Sequence, residues 1–481
     1  MSTEQPLSPY LLGSYAPTAE EHDTCELQVL EGAIPKDLDG LLVRNGPNAK
    51  YPPKGRYHWF DGDGMLHAVR LQGGRATYQN RWVRTQGFEQ EQQAGGPLWG
   101  GIMESIRDNP KGVPYKDTAN TDVIFHNGTL QALWYLCGRP YRVDPNTLAT
   151  LGPSDFGGDY KGPVSAHSKV DETTGHLAFF DFGPRAPFMH FGLADAQGRV
   201  QKRVDVPLPG PRLPHDLALT ENFAILMDLP IVFDEEALAK GRWRTSFNRE
   251  LPARFALVPR AVGDDKLRWF EASPCYMYHS VNAWEEDGAV VLVGCRVPEP
   301  YQPPRPEEGP YAVMMATLRI RAELYMWRFD LKTGACTETK LCDRNTEFPS
   351  MDRRRIGRKS QFSWNVIIGD EPTVFFDGLV KYDTGTGASN TLRFGPGQRG
   401  SESPFAPRVG SKAEDDGYLL TFLHDERAQR SELWIIPAQE PSLGPVARLH
   451  IPGRVPLGFH ATFVAGDKLA SGSALNERTS S

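Results

Sequence analysis

Four histidines in this 481-residue chain occupy similar settings, each at or beside a strand-like run. His215 follows Leu213-Pro and precedes an alternating stretch, a Thr-Glu-Asn turn and the apolar run Phe223–Met227. That is the pattern of a β-hairpin carrying an imidazole on its first arm. His167 stands in Pro-Val-Ser-Ala-His, His279 in Tyr-His-Ser-Val-Asn-Ala-Trp-Glu, and His460 in Val-Pro-Leu-Gly-Phe-His-Ala-Thr-Phe-Val. Taken singly, a histidine beside an apolar strand serves structure more often than it binds metal. Brought together by a fold, four imidazoles without sulfur would suit Fe(II), Cu or Zn. Zinc favours closed tetrahedral sets, and four histidines is not a common one, so the chemistry tilts to iron with a position open for dioxygen. None of the four shows the close pairing of a one-helix zinc site. Of the other eight, His67, His126, His190 and His424 read as core or pocket residues, and His22, His58, His176 and His450 as surface residues.

Other reaction centres are not written in the chain. It has no Gly-x-Ser-x-Gly elbow, no Walker loop and no dinucleotide fingerprint between strand and helix. Asp61-Gly-Asp-Gly64 resembles the start of a calcium loop without its closing acid, and reads as a tight turn.

The elements that must position the histidines are short strands. Asp144-Pro-Asn-Thr, Asp171-Glu-Thr-Thr-Gly, Asp195-Ala-Gln-Gly, Asp330-Leu-Lys-Thr-Gly and Asp383-Thr-Gly-Thr-Gly each follow a strand-like run. Aspartate accepts hydrogen bonds from the backbone two residues on, so each is suited to a hairpin tip. Repeated strand–turn–strand units point to an all-β fold, a β-propeller rather than a sandwich. Long helical periodicity is nearly absent; Asp234–Lys240 is the best short helix, and Gly95–Asn109 reads as a short helix or lid. No linker divides the chain, so 1–481 reads as one domain, with 1–37 as an extended N-terminal arm containing the strand-like Glu26–Leu30.

A formal charge of −7 and a pI near 6.0 exclude a nucleic-acid partner of the usual basic kind. The basic run Arg353–Lys359 reads as a solvated loop, with a weak peripheral contact to a membrane surface as the alternative. Six scattered cysteines without a Cys-x-x-Cys pair suggest reduced thiols, and no signal peptide or membrane-spanning run is visible. A cytoplasmic protein is expected.

In order along nearly the whole chain stand Leu41-Leu-Val-Arg-Asn-Gly-Pro47, Trp59-Phe-Asp-Gly-Asp-Gly-Met65, Ala119-Asn-Thr-Asp122, Ser165-Ala-His167, Pro214-His-Asp216, His279-Ser-Val-Asn-Ala-Trp284, Glu347-Phe-Pro349, Pro404–Arg408, Glu414–Leu420 and Gly458-Phe-His460. Together they resemble the carotenoid cleavage oxygenases, non-haem iron enzymes that include apocarotenoid oxygenases and lignostilbene dioxygenases. The resemblance implies a seven-bladed propeller with a helical and loop cap over the iron-bearing face. It implies Fe(II) on His167, His215, His279 and His460, with Glu347 and Glu402 orienting ligands and Phe60 lining the cavity. It also implies cleavage of a C=C bond in an apolar conjugated substrate by dioxygen, giving two carbonyl fragments. The chain departs from the pattern at Tyr135-Leu136, where Leu136 replaces a third glutamate. Stilbene-cleaving members hold a phenol with Lys and Tyr; Tyr135 and Ile102 stand at those places here, which favours a polyene substrate over stilbenes or phenylpropenes. The missing glutamate leaves His215 to find a neutral partner, a water or a backbone carbonyl. The rival of another class is a non-catalytic propeller serving as a binding module.

Overall fold

All five expected Asp-led turns close hairpins in the computed structural model, which describes residues 6–479. Asp144 Oδ1 accepts from the backbone of Asn146 and Thr147 at 2.8 Å each, and Asp330 Oδ1 does the same from Lys332 and Thr333 at 2.8 and 2.7 Å. Asp171, Asp195 and Asp383 repeat the device. Asp425, which sequence reasoning passed over, caps a sixth turn through Arg427 and Ala428.

These hairpins build seven antiparallel sheets that follow one another along the chain, the blades of a seven-bladed propeller. Blade one holds Gly40–Asn48, Asp63–Gln72 and Arg75–Trp82; blade two runs from Asp122–His126 to Thr150–Pro153, and blade three from Lys169–Val170 to Val200–Asp205. Blades four, five and six begin at Ala218–Leu219, Tyr276–Glu286 and Thr346–Ser350. Blade seven is centred on Gly417–Asp425 and Arg430–Pro437. Blades pack face to face, so a mid-blade strand such as Ala289–Val297 is buried along both faces except at Arg296, and reads as a continuous apolar run. The outermost strand of the same blade, Cys336–Cys342, is covered on one side only and alternates.

Two seams close the ring. Ala461–Ala465, near the end of the chain, pairs with Gly40–Asn48 as the innermost strand of blade one. Gln28–Gly32 pairs with Ala447–Ile451 as the outermost strand of blade seven, and Cys25–Glu26 edges blade one. Residues 25–32 of the N-terminal arm are therefore woven into two blades, and Tyr10 and Tyr15 ahead of them pack on Trp59. All six cysteines are free thiols.

Helices are few and short, as expected, but three escaped sequence reasoning: Gln86–Ala94, Ala312–Leu318 and Gly466–Thr479. Glu235–Ala239 is helical with Asp234 as its N-cap, as expected. Gly95–Asn109 is irregular, apart from a single turn at Ile106–Asp108. The basic run is not a solvated loop: Arg353–Arg355 forms a half-buried turn with ion pairs to Glu172, Asp352 and Glu414. His58, expected at the surface, is buried and caps the Trp59–Asp61 turn through Nδ1. No helix among the described residues is long and apolar enough to cross a membrane.

Candidate metal centre

Every blade brings one ionisable side chain to the start of its innermost strand. His460 precedes that strand in blade one, Asp122 opens it in blade two, and His167 and His215 lie just before it in blades three and four. His279 and Glu347 lie within it in blades five and six, and Glu402 stands between the short strands of blade seven. Since the inner strands converge on the propeller axis, four imidazoles and three carboxylates meet there.

The imidazoles touch one another. Ring centroids lie 4.6 Å apart for His167–His215, 4.9 Å for His167–His279, 4.5 Å for His167–His460, 4.7 Å for His279–His460 and 5.1 Å for His215–His279. One nitrogen each from His167, His279 and His460 falls within a 4.8 Å set, and His215 stands just outside it. His167 holds a left-handed backbone, φ +65°, a conformation that costs a non-glycine residue about 1–3 kcal/mol. Its N–H donates to Asp122 Oδ2 at 3.1 Å, which fixes the histidine in that pose.

Carboxylates orient two of the rings, on the two glutamates expected to do so. His279 Nδ1 lies 2.5 Å from Glu347 Oε2, and His460 Nδ1 lies 3.2 Å from Glu402 Oε1. Both glutamates are buried. A carboxylate at Nδ1 holds the proton there and turns the Nε2 lone pair to the axis. Burial, reinforced by the neighbouring imidazoles, drives His167 and His215 far below the usual histidine range. Burial and His460 do the same to His279. Burial also opposes charge on His460, but Glu402 and Asp122 outweigh it and the net direction is upward.

This donor set fits a metal ion. Nε2 of His167 and of His279 are buried without a hydrogen-bond partner, an arrangement that costs about 1–3 kcal/mol per group unless something is coordinated. Neutral imidazoles without sulfur are the ligands of borderline first-row metals.

An aromatic layer lies over the histidines. Phe348 contacts His279 and His460 at 4.8 and 5.0 Å, and Phe459 joins it to Trp59 and Phe60. Met314 and Met315 of the helix Ala312–Leu318 belong to the same cluster. Phe60 and Ile102 line one cavity of about 60 Å³ in the cap, with Trp134 at its wall. Tyr135 packs against His215 at a 45° tilt, ring centroids 4.2 Å apart, and is 6.2 Å from Phe60. A separate cavity of about 120 Å³ meets His167, His279 and His460 along the axis and is lined by Asp122, Glu402 and Lys169. Sequence reasoning assigned no role to Phe348, Asp122 or Asp216. All three stood inside quoted motifs, Ala119-Asn-Thr-Asp122, Pro214-His-Asp216 and Glu347-Phe-Pro349.

The model of the family described as retinal pigment epithelial membrane protein matches residues 15–465. A carotenoid 9,10(9',10')-cleavage dioxygenase of Crocus sativus is 35% identical over 496 residues, covering 96% of this chain and 90% of its own. A carotenoid cleavage oxygenase of Mycobacterium tuberculosis is 31% identical, covering 95% of this chain and 97% of its own. This chain is a carotenoid cleavage oxygenase.

Two solved oxygenases share the architecture. The lignostilbene dioxygenase of Pseudomonas brassicacearum superimposes with a TM-score of 0.87 at 28% identity, covering 96% of this chain and all (100%) of its own. A cobalt-substituted Synechocystis apocarotenoid oxygenase gives 0.82 at 26% identity, covering 93% of this chain and 97% of its own. The apocarotenoid oxygenase takes cobalt, and the histidine cluster described above has donors that could hold a metal ion. The departure of this carotenoid cleavage oxygenase at Leu136 is visible in its site. Leu136 packs with Tyr135 and Phe182 in an apolar cluster, and His215 Nδ1 is buried without a hydrogen-bond partner. Among the described residues neither a carboxylate nor a backbone carbonyl reaches that nitrogen. The ring packs at a tilt against Tyr135 and meets the edge of Tyr278 at 5.0 Å.

Proposed function

We propose that this carotenoid cleavage oxygenase holds Fe(II) on His167, His215, His279 and His460. With dioxygen it cleaves one C=C bond of an apolar, apocarotenoid-like polyene, yielding two carbonyl products. The observation that carries the reading is the axial cluster of four buried imidazoles, in which Nε2 of His167 and of His279 are partnerless beneath an aromatic roof. Bound iron would supply the redox-competent centre at which dioxygen reacts. The chain does the rest. Glu347 and Glu402 keep protons on Nδ1, so that Nε2 remains a donor. Phe60, Phe348 and Phe459 exclude water and offer flat apolar surface to a conjugated chain.

The second reading is cleavage of stilbenes or phenylpropenes, favoured by the likeness to the lignostilbene dioxygenase. Tyr135 argues against it. Its hydroxyl faces that of Tyr276 at 3.4 Å, while Tyr276 donates to the Leu213 carbonyl at 2.8 Å. The Tyr135 proton is thus directed at Tyr276, and burial pushes both phenols far above their usual range, so neither supplies charge to a phenolate.

A panel of apocarotenals, carotenoids, stilbenes and phenylpropenes, with products identified by mass spectrometry, tests the choice. Apocarotenals are expected to turn over fastest, and Tyr135→Phe is expected to change their kcat/KM less than about threefold. Loss of a hydrogen bond that held a phenol would cost about 1–3 kcal/mol, roughly 5- to 150-fold. A fall of that size with a stilbene, together with no turnover of apocarotenals, would reverse the assignment.

A further inference from the structure

His215 lacks the ring clamp that Glu347 and Glu402 give its partners, yet it belongs to the same square. What holds its segment is visible one residue on. The Asp216 carboxylate is fully buried, 0% exposed, and its oxygens are saturated by four donors. Oδ1 accepts from the Leu217 N–H at 2.7 Å and pairs with Lys169 Nζ at 2.8 Å. Oδ2 accepts from the Ser280 N–H at 2.8 Å and from Ser280 Oγ at 2.7 Å. Ser280 directly follows His279, and Lys169 lies two residues beyond His167. One carboxylate therefore ties together the segments of three histidines that lie in three different blades.

We propose that Asp216 is the positioning residue for His215: it fixes through the backbone of three blades the ligand whose ring no carboxylate holds. This rests on the metal reading of the four histidines. A buried carboxylate is costly unless every lone pair is engaged, and here each bond ends on a histidine-bearing segment or on Leu217, two residues past His215. The geometry also explains how Leu136 is tolerated. Where a glutamate would set ring orientation directly, Asp216 sets the place from which the ring projects, and Tyr135 and Tyr278 set its tilt.

Cobalt(II)-loaded protein tests the role through its visible ligand-field spectrum and the rate at which excess EDTA strips the metal. Asp216→Asn keeps the shape but lacks acceptors for two of the four donors. It is expected to shift the spectrum and speed cobalt loss at least about tenfold, the usual scale for groups that orient metal ligands. The control is Glu432→Gln, which alters an equally buried carboxylate that pairs with Arg430 and Arg448 in blade seven. It should match wild type in both measurements. A folded Asp216→Asn protein with the wild-type spectrum, and a loss rate equal to that of Glu432→Gln, would overturn the role. If Asp216→Asn does not fold, Ser280→Ala decides, since it strips one donor and uncovers no charge. A shifted spectrum with faster loss supports the role, and wild-type behaviour overturns it. Wild-type protein that takes up no cobalt would instead overturn the metal reading itself.

Discussion

Alanine in place of His167, His279 or His460 is expected to leave a folded protein that retains no iron and shows no turnover. Each ring supplies one inward nitrogen of the tightest set, and the remaining ligands cannot swing across the axis, because each is fixed at the start of a different blade's inner strand. Stability should move the other way. In the metal-free protein, Nε2 of His167 is buried and unsatisfied, so removing that ring relieves a penalty of about 1–3 kcal/mol even as it opens a small void, whereas removing His279 or His460 also strips Glu347 or Glu402 of its partner. Metal-free His167→Ala is therefore expected to melt at or above the wild-type temperature. His215→Ala should be mildest in metal retention, since that ring stands outside the 4.8 Å set and has no carboxylate at Nδ1. Iron per chain and oxygen consumption on an apocarotenal check these expectations. Full activity in any two of the four alanine variants would sink the ligand assignment.

Glu347→Gln is expected to weaken metal binding and turnover by about 10- to 100-fold, and to change their pH dependence. Burial pushes Glu347 up to about 8, against the opposing pull of the Phe348 N–H and the charge of His460. With a folded pKa above the unfolded 4.5, the group binds more protons folded than unfolded between those values, so its contribution to metal-free stability falls as pH rises through that window. Metal uptake has the reverse dependence. The carboxylate that best holds the His279 Nδ1 proton is the anion, so loading the site expels a proton below about pH 8. Apparent affinity should rise with pH between about 6 and 8 and level off above, and Glu347→Gln should remove the carboxyl's share of that slope, up to about tenfold per pH unit. His167, His215 and His279 are already held neutral by burial and add no slope in that range, whereas His460, shifted upward by Glu402 and Asp122, adds its own share in both proteins. Competition titrations with cobalt(II) across this range decide it; a slope unchanged in the variant would place the expelled proton elsewhere.

The Asp-led turns were readable because the signal is local: an aspartate and the two backbone amides after it suffice. The four histidines were readable as candidates, but nothing in their spacing assembles them. The square is made by contacts between blades, and only the ordered set of motifs pointed to it in advance. Glu402 shows the limit most plainly. Its sequence surroundings suit an exposed salt bridge, and its burial against His460 comes from where blade seven meets blade one. The helices Ala312–Leu318 and Gln86–Ala94 escaped notice because they are short and lie against irregular segments, so neither shows an extended period. The N-terminal arm looked extended because its strands are short and half-exposed, and their partners lie about 50 and 420 residues away (Cys25↔Tyr78 and Gln28↔His450).

Because the last inner strand, Ala461–Ala465, is drawn from the end of the chain, the fourth histidine arrives only when the ring shuts. During synthesis, a ribosome that has completed six blades has made His167, His215 and His279, but His460 is still to be translated. A growing chain of that length offers iron only an incomplete set, without the imidazole that Glu402 orients. On the proposed ligand set, a complete metal site therefore forms only after His460 has been translated and its seam has closed.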